Sequence, residues 1–302
     1  MAMKIFCTGA SGYIGGSVAA TLAAAGHHVR GLVRSTESGD KVRALGIEPI
    51  MGTLDDAAVL EGEARAADAV INAASADNRA AAMALLGALE ESGKPFIHTS
   101  GSSIVGSRAA GQRVDDVFDE TTPFTPSPAR AARVALDRDI LAYAAKGVRA
   151  AIVCPSLIYG IGRGAKADSA QVPWLIQTAK KHGVAKHYGP GENVWSNVHI
   201  DDLVDLYARV LKDAPAGAFY FAENGENSMR EICSAIGRAL GLGDTTQAMS
   251  LAEATAEWGE GPAQDTMGSN SRVRAVRARK ELGWAPHARS LLDEIAHGCY
   301  SA

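Results

Sequence analysis

The clearest chemical signal in the chain is Thr8-Gly9-Ala10-Ser11-Gly12-Tyr13-Ile14-Gly15. Glycines at 9, 12 and 15 allow a tight turn, a close backbone approach to a pyrophosphate, and close packing of the next helix on a sheet. An anion then rests on unpaired amides at the positive end of that helix. Alone the pattern is weak. Here it follows an apolar run at 4–8 and opens an alanine-rich stretch at 12–25, the strand–turn–helix context a dinucleotide site needs. No Gly-Lys-Ser/Thr follows, so a P-loop is excluded.

The end of the second strand indicates which dinucleotide. A carboxylate there would hold the ribose hydroxyls of NAD, but the sequence reads Val33-Arg34-Ser35. A guanidinium fork can bond a 2′-phosphate through two hydrogen bonds and Ser35 can add a hydroxyl, so NADP(H) is favoured over NAD(H). Asp55, after Leu54, can approach the adenine amino group or cap the next helix, and one carboxylate can do both. Ala73 and Ala74 are small enough to leave room for a ribose. The expected cofactor set is Gly9, Ser11, Gly12, Tyr13, Ile14, Gly15, Arg34, Ser35, Leu54, Asp55, Ala73 and Ala74, with Thr99 and Pro155 at later strand ends.

These residues need a scaffold. Short β-branched runs at 4–8, 28–33, 47–51, 69–72, 95–99 and 149–154 alternate with helical stretches at 12–25, 55–66, 80–92 and 129–146. That rhythm implies parallel strands with right-handed crossovers, hence an α/β fold, a doubly wound parallel sheet of Rossmann type. After Gly160 the pattern changes to a helix at 172–182, a strand at 196–200, a helix at 201–211 and a strand at 218–222. Ser228 with Glu231, and Ser250 with Glu253, match capping boxes. The reading is a dinucleotide-binding domain of residues 1–160 plus about 195–223, and a smaller, mainly helical substrate lobe of about 161–194 plus 224–302.

Composition narrows the class. With 302 residues, 47% hydrophobic and 21% charged, the chain is globular rather than disordered. Thirty basic against thirty-four acidic side chains, with no basic stripe, argue against nucleic acid. No apolar run reaches the ~20 residues of a membrane span, and the amino end is too short in apolar residues for a signal peptide. Cys7, Cys154, Cys233 and Cys299 lie far apart without a Cys-x-x-Cys or Cys/His cluster, so neither a zinc site nor a disulfide framework is indicated. A reducing, cytoplasmic compartment is expected. His182 and His187 lack acidic companions and read as surface residues, so no metal is expected. No Gly-x-Ser-x-Gly elbow exists for a hydrolase.

Taken in order, Thr8–Gly15, Asp55, Asn72-Ala73-Ala74 and His98-Thr99-Ser100-Gly101-Ser102-Ser103 resemble the short-chain dehydrogenase/reductase superfamily. Pro155-Ser156-Leu157-Ile158-Tyr159-Gly160, Val198-His199-Ile200-Asp201-Asp202-Leu203 and Leu282-Gly283-Trp284-Ala285-Pro286 look like its extended, epimerase/dehydratase-like branch. The resemblance implies a Ser or Thr after strand five and a Tyr-x-x-x-Lys pair on the next helix. Here the Ser position falls on Gly101, and the Tyr and Lys positions on Ala129 and Arg133. The usual acid–base pair is absent, as in atypical members. Tyr143 and Lys146, three apart, read as a surface pair at the helix end. The oligomeric state stays open, although members of that superfamily often form homodimers through the helices beside strands four to six.

A replacement acid must reach the developing alkoxide. Ser100 and Ser102, at the end of strand five, and Tyr159, at the end of strand six, are the candidates. Trp195 and His199 are expected to line the substrate pocket, one of Asp201 and Asp202 capping the next helix. The expected protein is an NADP(H)-dependent oxidoreductase acting on a small carbonyl, hydroxyl or related group. Two alternatives are a non-catalytic NADP(H)-binding redox sensor and an NAD(P)-dependent epimerase or dehydratase.

Overall fold

In the computed structural model, which describes residues 2–301, strands and helices alternate from the amino end. β1 (Lys4–Thr8), α1 (Tyr13–Ala24), β2 (His28–Val33), α2 (Thr36–Arg43), β3 (Glu48–Met51) and α3 (Ala57–Ala66) form one half. β4 (Ala69–Asn72), α4 (Arg79–Gly87), β5 (Pro95–Thr99), α5 (Ala131–Ala142) and β6 (Arg149–Pro155) form the other. An excursion carrying α6 (Gln171–His182) intervenes before α7 (Ile200–Asp213) and β7 (Ala218–Ala222). The strand order in the main sheet is β7-β6-β5-β4-β1-β2-β3, every pair parallel, as the alternation requires. The winding reverses between β1 and β4, and ligand crevices open at such a switch point. Every residue of β4 and β5 is buried, because helices cover both faces of a parallel sheet.

Helix α2 has no apolar stripe in the sequence to announce it, and only Gly39 and Val42 are buried. Local signals make it: Ser35 accepts from the Ser38 amide as N-cap, Glu37 sits in the first turn, and Lys41 and Arg43 sit in the last.

Beyond β6 the chain is mainly helical, as expected, with small sheets added. Leu157–Tyr159 pairs in parallel with Val194–His199, which pairs antiparallel with Glu226–Ser228. A second small sheet joins Ala185–Tyr188 to Thr246–Met249. Both capping boxes form, Ser228 with Glu231 opening α8 (Met229–Ala239) and Ser250 with Glu253 opening the helix Leu251–Trp258.

Two large hydrophobic cores result, beside a small third cluster of Met249, Ala254 and Ala263, and the boundary between the large two departs from the expected one. Leu157, Tyr159 and Trp195 pack with the lobe residues Val172, Leu175 and Ile232. Val273, Ala275, Ala278, Leu282 and Trp284 pack into the main-sheet core instead. The reason is tertiary: Trp284 Nε1 donates to the Asp202 carbonyl at 2.9 Å, drawing residues 273–284 back onto α7 and β7. Cys7, Cys154 and Cys233 are buried free thiols. No helix among the described residues is long and apolar enough to cross a membrane.

Candidate functional site

A crevice of about 710 Å³ opens at the carboxyl ends of the strands around the switch point. The glycine turn supplies one wall through Gly9, Ser11, Gly12, Tyr13, Ile14 and Gly15. Arg34, Leu54, Asp55, Ala73 and Ala74 also line it. The opposite side is a segment that sequence reasoning missed, Lys166–Gln171 apart from Ala167, together with Asn78 and Ile158. Glycine is required by close approach. Gly9 has φ +75°, and a Cβ there would lie 2.7 Å from the Ala73 carbonyl carbon. A Cβ on Gly15 would lie 2.5 Å from the Gly9 oxygen.

The amino end of α1 suits an anion. Its N-cap is Gly12, no side chain caps it, and its first turn holds no acidic residue. By contrast α2, α4, α7 and α8 are each capped by a side chain. First-turn amides left without protein partners carry the positive end of the helix dipole into the crevice. The turn, the uncapped helix and the small Ala73 and Ala74 therefore fit a dinucleotide pyrophosphate and ribose.

Arg34 is exposed, lines the crevice, and forms no ion pair with a described residue. Asp55 is not the cap of α3. The cap position is Asp56, whose Oδ2 accepts from the Thr53 amide at 2.6 Å, so Asp55 stays in the crevice wall.

Several expected residues lie elsewhere. Ser35 is the α2 cap and does not line the crevice. Thr99 is buried with its hydroxyl 2.6 Å from the Tyr207 hydroxyl, and Pro155 is buried at the end of β6. Tyr159 is fully buried, and its phenol donates to the Arg289 carbonyl at 2.7 Å. Burial raises its pKa well above that of a free phenol, so it packs the lobe and is no proton donor. Ser102 is buried and shares its hydroxyl with that of Ser271 at 2.8 Å, away from the crevice. Trp195 Nε1 donates to the Ser269 carbonyl, fixing the indole inside the lobe core. His199 Nδ1 accepts from the Asp201 amide, so the imidazole itself caps α7. It faces a second cleft beside Arg163 and His287 rather than the dinucleotide crevice. Neither Asp201 nor Asp202 is the cap; Asp202 instead accepts from the His287 and Ala288 amides.

Ser100 has different company. It is buried one residue past β5 and does not line the crevice, and its Oγ donates to Asp137 Oδ2 at 2.7 Å. Asp137 sits on α5, one turn after Arg133. Burial pushes its pKa up to about 7, against the pull of the Ser100 hydrogen bond and the Arg133 charge. His98 is buried beside it, and desolvation lowers its pKa to about 4. The sequence held a signal for Asp137, a carboxylate on the apolar stripe of Val134, Leu136 and Ile140. Arg133, in the family's Lys position, bonds Asp77 through Nε and NH2 at 2.8 and 2.6 Å and reaches Ser103 Oγ at 3.3 Å. It ties the loops after β4 and β5 together. Tyr143 and Lys146 do form a surface pair, with the ammonium 4.2 Å from the ring centroid. Among the described residues no group of three or more His, Cys, Asp or Glu is placed to hold a metal ion.

Comparison with known proteins places this geometry. The model of the NAD dependent epimerase/dehydratase family matches residues 5–220. An uncharacterized protein of Schizosaccharomyces pombe is 32% identical over 312 residues, covering 99% of this chain and 100% of that protein. An oxidase of Acremonium sp is 32% identical over 338 residues, covering 98% and 96%. Among solved structures, the dTDP-glucose 4,6-dehydratase DesIV of Streptomyces venezuelae, with NAD bound, aligns at TM-score 0.76 and 23% identity over 98% of this chain and 95% of that one. At that identity the likeness shows the fold. The chain belongs to the NAD dependent epimerase/dehydratase family and is an NAD(P)-dependent enzyme of the extended short-chain dehydrogenase/reductase type.

Proposed function

We propose that the enzyme is an NADP(H)-dependent oxidoreductase acting on a small carbonyl or hydroxyl compound. The observation that carries the cofactor choice is Arg34, an exposed guanidinium in the crevice wall without a carboxylate partner, one residue past β2. A 2′-phosphate there gains a bidentate, charge-assisted pair. A bound nicotinamide dinucleotide supplies or accepts the hydride. The chain's own residues do the rest. The α1 amides hold the pyrophosphate, and the Ala73 and Ala74 methyls let the ribose approach. Leu32 and Ile158 line the crevice with apolar surface that excludes water. Arg133 holds its proton too tightly to take the lysine's part.

Family membership also favours a sugar-nucleotide epimerase or dehydratase, and DesIV, a dTDP-glucose dehydratase, shares the fold. Against it stand Ala129 and Arg133 in place of the Tyr and Lys, and Arg34 in place of a carboxylate.

Calorimetric titration with NADPH and NADH tests the choice. Arg34→Ala is expected to weaken NADPH by about 1.5–3 kcal/mol, roughly 10- to 150-fold, with little change for NADH. Equal loss for both dinucleotides would overturn the NADP(H) reading. Turnover of dTDP- or UDP-hexoses with no reduction of aldehydes or ketones would shift the reaction to the second reading.

A further inference from the structure

We propose that Lys166 is a second phosphate-binding group of the crevice, its ammonium meeting the dinucleotide pyrophosphate from the wall opposite α1. This rests on the dinucleotide reading of the crevice and deepens it, because neither the glycine turn nor Arg34 involves this segment of the chain.

Residues 160–171 form a strap across the start of α1. The Tyr13 hydroxyl donates to the Gly160 carbonyl at 2.8 Å, and Ser17 Oγ accepts from the Arg163 amide at 3.0 Å. Beside these ties the two backbones touch, since a Cβ on Gly164 would lie 2.5 Å from the Gly16 carbonyl carbon. Tyr300 fastens both ends of the strap. Its hydroxyl accepts from the Gly160 amide at 2.9 Å and lies 3.5 Å from Ser169 Oγ. In between, the strap folds back on itself where the Gly162 amide donates to the Ala167 carbonyl at 2.8 Å. Its position is thus set by α1 and by a distant part of the chain, independently of any ligand.

That fold brings Lys166 to the amino end of α1. A Cβ on Gly162 would lie 2.6 Å from the Lys166 carbonyl oxygen and 2.8 Å from the Tyr13 ring. The Lys166 backbone and Tyr13, the first residue of α1, therefore flank the same glycine. The Lys166 side chain is exposed, lines the crevice, and forms no ion pair with another described residue. Asp168 also lines this wall but is not paired with it, so the ammonium is not neutralised in place. The crevice wall thus holds two cations, Arg34 past the end of β2 and Lys166 beside the start of α1.

A pyrophosphate brings two negative charges. The aligned peptides of α1 offer about half a positive charge at their amino end, so the helix alone leaves most of that charge to solvent. An ammonium on the facing wall supplies the missing cation without competing for the amides. Lysine suits the task because it meets phosphate as a point charge on a flexible stem and needs no fixed angle. The two cations then divide the work. Arg34 takes the phosphate that distinguishes one dinucleotide from the other, and Lys166 takes the part that both share. A strap tied down beforehand lowers the ordering cost of that contact.

The test is calorimetric titration of the full chain with NADPH, NADH and ADP-ribose. The last carries the pyrophosphate but neither the 2′-phosphate nor the nicotinamide. Lys166→Met keeps the apolar stem and removes the charge. It should weaken all three ligands about 10-fold, the loss of one hydrogen bond to a charged group. Arg34→Ala should weaken NADPH alone. Lys166→Arg, which keeps the charge, should stay within about 3-fold of wild type for all three. Unchanged ADP-ribose affinity in Lys166→Met overturns the proposal even if NADPH weakens, because the ammonium then meets another part of the ligand. An equal loss in Lys166→Arg and Lys166→Met also overturns it, because the side chain then acts by shape and not by charge. Wild type that binds none of the three at millimolar concentration overturns the dinucleotide reading itself. Wild type that binds them, with Lys166→Met no weaker, leaves that reading standing and removes only the role of Lys166.

Discussion

The two sides of this site are built from different materials. Around α1 the wall is largely backbone: three glycines, an uncapped helix end and two alanines, with Arg34 beside them. Beneath β5 lie buried polar side chains in two bonded pairs, Ser100 with Asp137 and Asn72 with His98. The first kind of site binds a group common to many substrates, because amides read phosphate geometry and nothing else. The second kind sets a proton affinity, which needs low dielectric and chosen neighbours. A chain can therefore keep the first while rebuilding the second, and this one has Ala129 and Arg133 where its relatives' superfamily uses Tyr and Lys.

The sharpest way to break this contrast is the pH dependence of stability. The Asp137 pKa is about 7 in the folded chain, above the ordinary carboxylate value of 3.8. Folding then binds a proton, so this group's stabilisation is complete below pH 4 and is lost as pH rises toward and through 7. Three pKa units correspond to about 4 kcal/mol. Asp137→Asn should flatten that part of the curve, and urea melts between pH 4 and pH 8 would show it. Parallel curves for the two proteins would mean that the β5 side holds no raised carboxyl group.

On the backbone side, Gly15→Val places a branched side chain where a bare Cβ already meets the Gly9 oxygen at 2.5 Å. Overpacking of this kind costs about 3 kcal/mol. Dinucleotide affinity should fall about 100-fold by calorimetry. Normal binding would show that the turn does not hold the pyrophosphate.

The smallest effect sharpens the comparison by exclusion. His199→Ala removes the α7 cap and should lower stability by about 1 kcal/mol in thermal melts. NADPH affinity and turnover should stay at wild-type levels, because the imidazole opens on a different cleft. A turnover loss of 10-fold or more would return His199 to the reaction.

The glycine-turn wall of the crevice was legible in the sequence, since spacing alone placed Gly9, Gly12 and Gly15 after β1 and Arg34 after β2, whereas Ser35, Thr99 and Pro155 fall outside it. The reaction side was not. Ser100, Ser102 and Tyr159 looked alike as hydroxyls at strand ends, yet one meets a buried carboxylate, one a serine 169 residues away and one a carbonyl 130 residues away. No local pattern encodes such partners. Asp137 looked like an ordinary helix residue until α5 turned it toward β5.

Element order, the parallel sheet and the anion-binding turn were written into the chain, because they depend on periodicity and on the conformations glycine permits within a few residues. Side-chain direction, the division between the two cores and the proton affinity of Asp137 were settled by folding. Each is a property of distant segments packed together, and desolvation has no meaning until they meet.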